Sequence, residues 1–433
     1  MKNLSLFQLV VFGICGVLII GGVLVFAALS RGGASSVGMV VIWGTLPQAS
    51  MDTLLQNLRE KNSSFENVSY KQMDASSYDS DLINAIASGE APDLALLSAD
   101  EIMPFQNKLY LIPYTSMSKS EYQSSFVGEG DLFLNPNGIL ALPFTLDPLV
   151  MYWNKDLFSA AGLAEPPQYW DDVLTDTPKL TTLSSRGITT SAIAMGEWDN
   201  VSDAKAILSA LTMQAGDPIT SVDAATGKVS IAYGESPSQS IESPASSALS
   251  FYTDFADPSK ISYTWNRTLP LSQEAFAAGD LAIYLGLASE DAAIAARNPN
   301  LNFGVAELPQ AKGEATPVTF GNLTGLTIPR GAKNYQGAVK IAELLSGDAG
   351  ASGIASALHL PPVRRDLIAA SPTDPNATAF AESALIAHGW LDPDPSGTDS
   401  IFQSMIESVL SGQNEPAAAV SQAALALQRL LQQ

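Results

Sequence analysis

The chain has 433 residues, more than one hydrophobic core ordinarily serves, which implies two lobes and an accessory segment. An apolar fraction of 46% with only 15% charged residues excludes an intrinsically disordered chain, and a net charge of −22 repels phosphate backbones, which excludes nucleic acid as a partner. Cys15 is the one cysteine, and His359 and His388 are the only imidazoles, so neither a disulfide nor a histidine-rich metal site is expected.

Leu9 to Leu29 is an unbroken apolar run of 21 residues. At about 1.5 Å per residue it is long enough to cross a hydrocarbon core of about 30 Å. A secretory signal has a shorter apolar region, roughly 7–15 residues, so the run predicts a retained N-terminal transmembrane helix, with residues 1–36 as anchor and tether. Lys2 and Arg31 flank it with too little charge bias to fix orientation. The expected arrangement is N-terminus inside, with the globular body extracellular or periplasmic. Cleavage after Ala27 or Ala28 is the alternative, and acylation of Cys15 is disfavoured by Ile14, which stands where a small residue is required.

Gly38–Thr45 reads as a buried strand, and Met51, Leu54, Leu55 and Leu58 recur at helical spacing after it. Val68, Tyr70 and Gln72 alternate as a second strand, Leu82, Ile83 and Ile86 mark a second helix, and Asp93–Leu97 is a third strand. Strand, helix, strand, helix, strand predicts a parallel sheet, with a ligand at the carboxyl ends of its strands. Those ends hold Trp43-Gly44-Thr45 and Ser98-Ala99-Asp100.

Leu140–Phe144 and Leu149–Trp153 read as two strands on either side of Asp147. A carboxylate between buried strands is either a solvated turn acid or a group facing a ligand where the chain passes between lobes. Asn154-Lys155-Asp156 caps a short helix that Gly162 and Pro166-Pro167 end.

The stretches SGEAPDLALLSADEI, ALPFTLDPLVMYWNKDLFSAAGL and EAFAAGDLAIYLG resemble extracellular solute-binding proteins, family 1. This is the sugar-binding ABC-importer type that includes maltose-binding protein. The resemblance implies an α/β, two-lobed periplasmic-binding-protein fold of type II, each lobe a mostly parallel sheet flanked by helices. It also implies lobes discontinuous in sequence, with 37–147 and 316–348 forming the first and 148–315 and 349–433 the second. Residue by residue, Asp100, Asp147 and Glu197 fall on that family's sugar-contacting carboxylates, and Trp198 lies one place before a matching aromatic. Leu97 and Glu101 depart from the family's tryptophan and arginine, which argues against carrying over a maltodextrin specificity.

The second lobe continues with a helix opened by Trp170, a strand at Ser191–Met195, a helix at Val201–Met213, and a Ser/Gly/Pro-rich hairpin and loop over 219–247. Phe276 anchors a helix that Gly279 ends, and Leu281–Leu285 is a strand. Leu301–Leu308 and Thr316–Pro329 carry the chain back, an amphipathic helix follows at Tyr335–Leu345, and Ile401–Leu431 is helical with a break at Gly412. Asp392-Pro-Asp394-Pro-Ser396-Gly397 is similar to the start of a calcium loop, but Gln403 stands where a glutamate is required, so a turn is expected and no metal.

Sugars need carboxylates or amides as acceptors and aromatic planes for stacking. The candidate ligand-binding residues are Trp43, Thr45, Ser98, Asp100, Asp147, Glu197, Trp198, Phe320, Gly321 and Trp390, while Trp170 and Trp265 are expected in the core. No nucleophile elbow, Walker loop or dinucleotide fingerprint is present, so neither enzyme activity nor a cofactor is expected. The expected function is capture of a sugar or oligosaccharide by a monomer and its delivery to the transmembrane subunits of an ABC permease. The alternatives are a peptide, polyamine or other small solute in the same fold, a glycosidase using two carboxylates such as Asp147 and Glu197, and a permease-independent surface sensor or adhesin.

Overall fold

The computed structural model describes residues 37–185, 187–235, 243–313, 316–370 and 374–432. The expected anchor, Cys15 and the 1–36 tether lie outside these. Among the described residues no helix is long and apolar enough to cross a membrane.

The architecture is α/β and two-lobed. A single sheet path runs in the order Val68–Gln72, Val40–Gly44, Leu94–Ser98, Thr319–Pro329, Ala141–Asn154, Leu281–Leu287, Gly187–Ile193, Thr182–Ser184. In the first lobe the three N-terminal strands pair in parallel, as their helical crossovers require. Helix Gln48–Lys61 packs on them through Met51, Leu54, Leu55 and Leu58, the four positions its spacing singled out. Gly89 ends helix Tyr78–Ser88 in the left-handed region at φ +75°, where a side chain would be strained.

The two longest strands belong to both lobes. The sequence reads Leu140–Phe144 and Leu149–Trp153 as two strands on either side of Asp147, but Ala141–Asn154 is one continuous strand with Asp147 in mid-course. Thr319–Pro329 pairs antiparallel with it from Thr327↔Ala141 to Gly321↔Pro148, and this ladder keeps it extended. Pro143 and Pro148 lack an N–H for that ladder, and both stand opposite glycines, Pro143 beside a register shift at Thr324/Gly325. Beyond Asp147 the strand pairs with Leu281–Leu287 and Phe303–Ala306, also antiparallel. Each half-sheet is therefore mixed, because strands that pass between the lobes and return must run against their neighbours.

Two apolar clusters define two cores. Leu146 belongs to the first and Leu149 to the second, so the boundary falls on Asp147-Pro148. On the return strand Leu323 packs in the first core and Phe320 against the second. A third crossing lies near 387–391, where Ala387 and Leu391 join the first core and Trp390 the second. Of the segment 349–433, expected in the second lobe, Ala351, Ile354, Val363 and Ile368 pack in the first core, and Phe402, Met405 and Leu427 in the second.

Some of the polar groups buried in the second core satisfy one another. Trp170 Nε1 donates to Gln214 Oε1 at 2.7 Å, and Gln214 Nε2 donates to the carbonyls of Pro309 and Val318. Trp170 and Trp265 are 7% and 1% exposed, which makes both of them core. The tail is two helices, Pro395–Leu410 and Pro416–Leu430, divided at Gly412.

Candidate ligand-binding cleft

Where the return strand Thr319–Pro329 passes between the cores it floors a cleft of about 450 Å³. Other grooves on the molecule are as large, so its composition and place distinguish it. The first lobe contributes Asp100, the crossing return strand Phe320 and Asn322, and the second lobe Trp198, Asp203 and Lys205. Asp399 enters from the tail helix Pro395–Leu410.

Asp147 stands opposite Asn322 in the ladder. Its Oδ1 accepts a 2.9 Å hydrogen bond from Ser289 N–H, at the turn after strand Leu281–Leu287. Burial pushes its pKa up, and the Ser289 bonds pull only partly the other way. Asp203 precedes helix Ala204–Gln214 with a left-handed backbone, φ +55°. Its buried Oδ2 has no hydrogen-bond partner, and burial followed by the Asp147 charge raises its pKa to about 6. Glu290 accepts from the Tyr284 hydroxyl at 2.6 Å, and burial followed by Asp203 raises its pKa to about 7. Asp147, Asp203 and Glu290 thus repel one another, and of the three Asp203 lines the cleft.

Among the described residues lining the cleft, Lys205 is the one cation, and it is engaged. Lys205 Nζ lies 2.5 Å from Asp399 and 3.4 Å from the fully buried Asp392. Burial works against its charge, but Asp392 and Asp399 outweigh burial and hold the ammonium above its ordinary range. Asp392 also accepts from Asp394 N–H and from the Thr398 hydroxyl, so the turn resembling a calcium loop is a helix-start anchor. Asp100 Oδ1 is buried without a hydrogen-bond partner at the other side of the cleft. Among the described residues no group of three or more His, Cys, Asp or Glu is arranged to hold a metal ion.

Of the residues expected to meet a ligand, Asp100, Trp198 and Phe320 line the cleft. Trp43 does not. Its ring faces a separate groove with Glu90, Pro92 and Lys333, and Lys71 lies 4.8 Å above it. Trp390 is 5% exposed and stacks on Phe402 within the second core. Thr45 is exposed at its strand end, and Ser98 donates through both N–H and hydroxyl to Glu101 Oε2. Glu197 is 8% exposed and lies 3.4 Å from Arg267. Gly321 has its backbone pressed against the buried Glu129 carboxyl.

Sequence reasoning missed Asp203, Lys205, Asn322 and Asp399. Asn322 could have been found by pairing the return strand with the Asp147 strand. Asp203 and Asp399 look like ordinary acids near helix starts, and only the packing of the tail against the second lobe brings them together.

A model of the bacterial extracellular solute-binding protein family matches residues 53–382. The chain belongs to that family. A binding protein of Brucella abortus (strain 2308) is 28% identical to this solute-binding protein over 106 residues, 24% of this chain and 25% of the relative, so the chain spans only a quarter of the curated relatives it matches. Solved structures resemble this solute-binding protein over most of its length. The cyclic alpha-maltosyl-1,6-maltose binding protein from Arthrobacter globiformis has a TM-score of 0.74 at 16% identity, covering 91% of this chain and 98% of its own. An ABC transporter solute-binding protein from Thermotoga lettingae TMO, bound with alpha-D-tagatose, has a TM-score of 0.68 at 21% identity over 91% and 99%. At these identities the likeness shows the shared fold.

Proposed function

We propose that this solute-binding protein captures a sugar or oligosaccharide between its two lobes and hands it to the transmembrane subunits of an ABC importer. The observation that carries the reading is the meeting of acceptors and aromatic faces where three chain segments cross. Asp100, Asp203 and Asn322 offer oxygens that accept sugar hydroxyls, beside Trp198 and Phe320, whose planes suit sugar C–H faces. The structures of similar fold, which carry tagatose in one case and maltotetraose in another, support the same class of ligand. Asp147 belongs to the site as the acid at the crossing. Closure is a hinge motion at the three crossings, and ligand shifts the open–closed population. The Leu9–Leu29 run supports an N-terminal membrane anchor that keeps the body outside the cell or in the periplasm, near its permease.

A second reading, a cationic solute such as a polyamine, is favoured by the acids Asp100, Asp203 and Asp399 lining the cleft around Lys205, which is already paired. A thermal-shift screen of residues 35–433 against monosaccharides, malto-oligosaccharides, spermidine and short peptides separates the two. A millimolar ligand bound at micromolar affinity should stabilise by about 4 kcal/mol. Sugars alone should raise the melting temperature; a shift with spermidine alone overturns the sugar reading.

A further inference from the structure

Glu129 lies on the turn Gly128–Phe133 of the first lobe, and nothing in the ligand-binding reading uses it. It is 2% exposed, and both carboxyl oxygens are buried without a hydrogen-bond partner. A side-chain atom added at Gly321 would collide with Oε2, and one added at Gly389 would collide with Oε1. Gly321 is the crossing point of the return strand, and Gly389 lies in the third crossing, next to the Ala387–His388 strand that pairs with Thr319-Phe320. One carboxyl of the first lobe is therefore wedged between two of the three segments about which the lobes must turn.

We propose that Glu129 is a positioning residue for lobe closure: its uncharged carboxyl seats between Gly321 and Gly389 and fixes the hinge, and loss of its proton unseats it and widens the hinge. The inference rests on the two-lobed capture mechanism above, but not on which solute is captured. A buried carboxyl without partners is stable only as the neutral acid. Burial, with a smaller contribution from Asp100, raises Glu129 to a pKa of about 8. The Leu323 amide acts in the opposite direction, but its contact falls short of hydrogen-bond geometry.

Asp100, half-buried with Oδ1 unpartnered, is the charge that acts on Glu129, and the other ionisable groups on the surrounding elements are engaged elsewhere or exposed. Asp147 accepts from Ser289, Asp131 from Gln123, and the Tyr122 hydroxyl donates to the carbonyls of Gly130 and Ala141. Arg365 donates to Phe126 O, and His388 is exposed beside the Ile386 carbonyl. Lys119 and Glu121 are exposed. The hinge is thus seated at neutral pH and released in alkaline solution.

The test uses the full chain in detergent micelles, with Cys15→Ser and dyes on Glu60→Cys in the first lobe and Asp171→Cys in the second. Energy transfer is followed from pH 6 to 9.5 without ligand. With Glu129 present, transfer should fall in a step centred near pH 8, and Glu129→Gln, which keeps the shape but cannot ionise, should be flat. A step of equal size in Glu129→Gln, or no step with Glu129 present, overturns the proposal. Gly389→Ala, which crowds the seat from the opposite side and leaves Glu129 in place, should give the high-pH transfer value already at pH 6; an unchanged pH profile would likewise overturn it. Because no solute is added, failure to bind any sugar leaves this readout intact.

Discussion

Asp203 combines three costs in one residue: a left-handed backbone, a buried oxygen without a partner and a neighbouring carboxylate. Because its folded pKa is about 6 against an ordinary 3.8, folding favours the protonated form. Its contribution to stability therefore falls as pH rises from about 4 and reaches its minimum above about 6. Asp203→Asn should raise stability by about 2 kcal/mol at pH 7.5 and by much less at pH 4.5, read as the difference in denaturation midpoints. A gain independent of pH would mean that the backbone effect of asparagine in the left-handed region dominates. Asp147 presents the complementary case, an acid held by one amide at the crossing. Asp147→Ala should weaken sugar affinity at least tenfold by titration calorimetry while the unliganded melting temperature changes by no more than a few degrees. A large loss of unliganded stability would instead make Asp147 a structural group.

At the scale of elements, the second lobe depends on Gln214. Its amide joins helix Ala204–Gln214 to Trp170 at the start of another helix and to the returning segment at Pro309 and Val318. Gln214→Leu keeps the volume but strands an indole N–H and two carbonyls, so it should cost about 3 kcal/mol by chemical denaturation. The long strand Ala141–Asn154 shows how an element can mislead. Its acid and two prolines imitate a turn, and only the glycines and the register shift of the strand opposite allow it to run straight through. Its end, where the Asn154 side chain accepts from Asp156 and Leu157 N–H, and the helix that follows were legible because capping is a local matter.

At the scale of the whole molecule, two separate apolar cores are joined through segments that cross between them, so the lobes should unfold with limited cooperativity. A ligand gripped by both lobes stabilises them jointly. Calorimetry of the unliganded body should give a transition broader than a single two-state unfolding, and saturating sugar should sharpen it and move it upward. A single two-state transition without ligand would show that the shared strands couple the cores more tightly than the crossings suggest.

The order of strands and helices, the two-lobed plan and the place of Asp147 between the lobes followed from the sequence alone. Burial periodicity, caps and turn glycines are written within a few residues of where they act, and linked in order they carry the family resemblance. Membership of the cleft was decided by tertiary structure. Residues 100, 203, 322 and 399 meet there only because the return strand and the tail helix fold back, and strand register turns Trp43 toward another groove. Trp390, at a crossing, went to the second core because Phe402 offers it an apolar face to stack on. Side-chain direction depends on partners distant in sequence, and that information is absent from any local pattern.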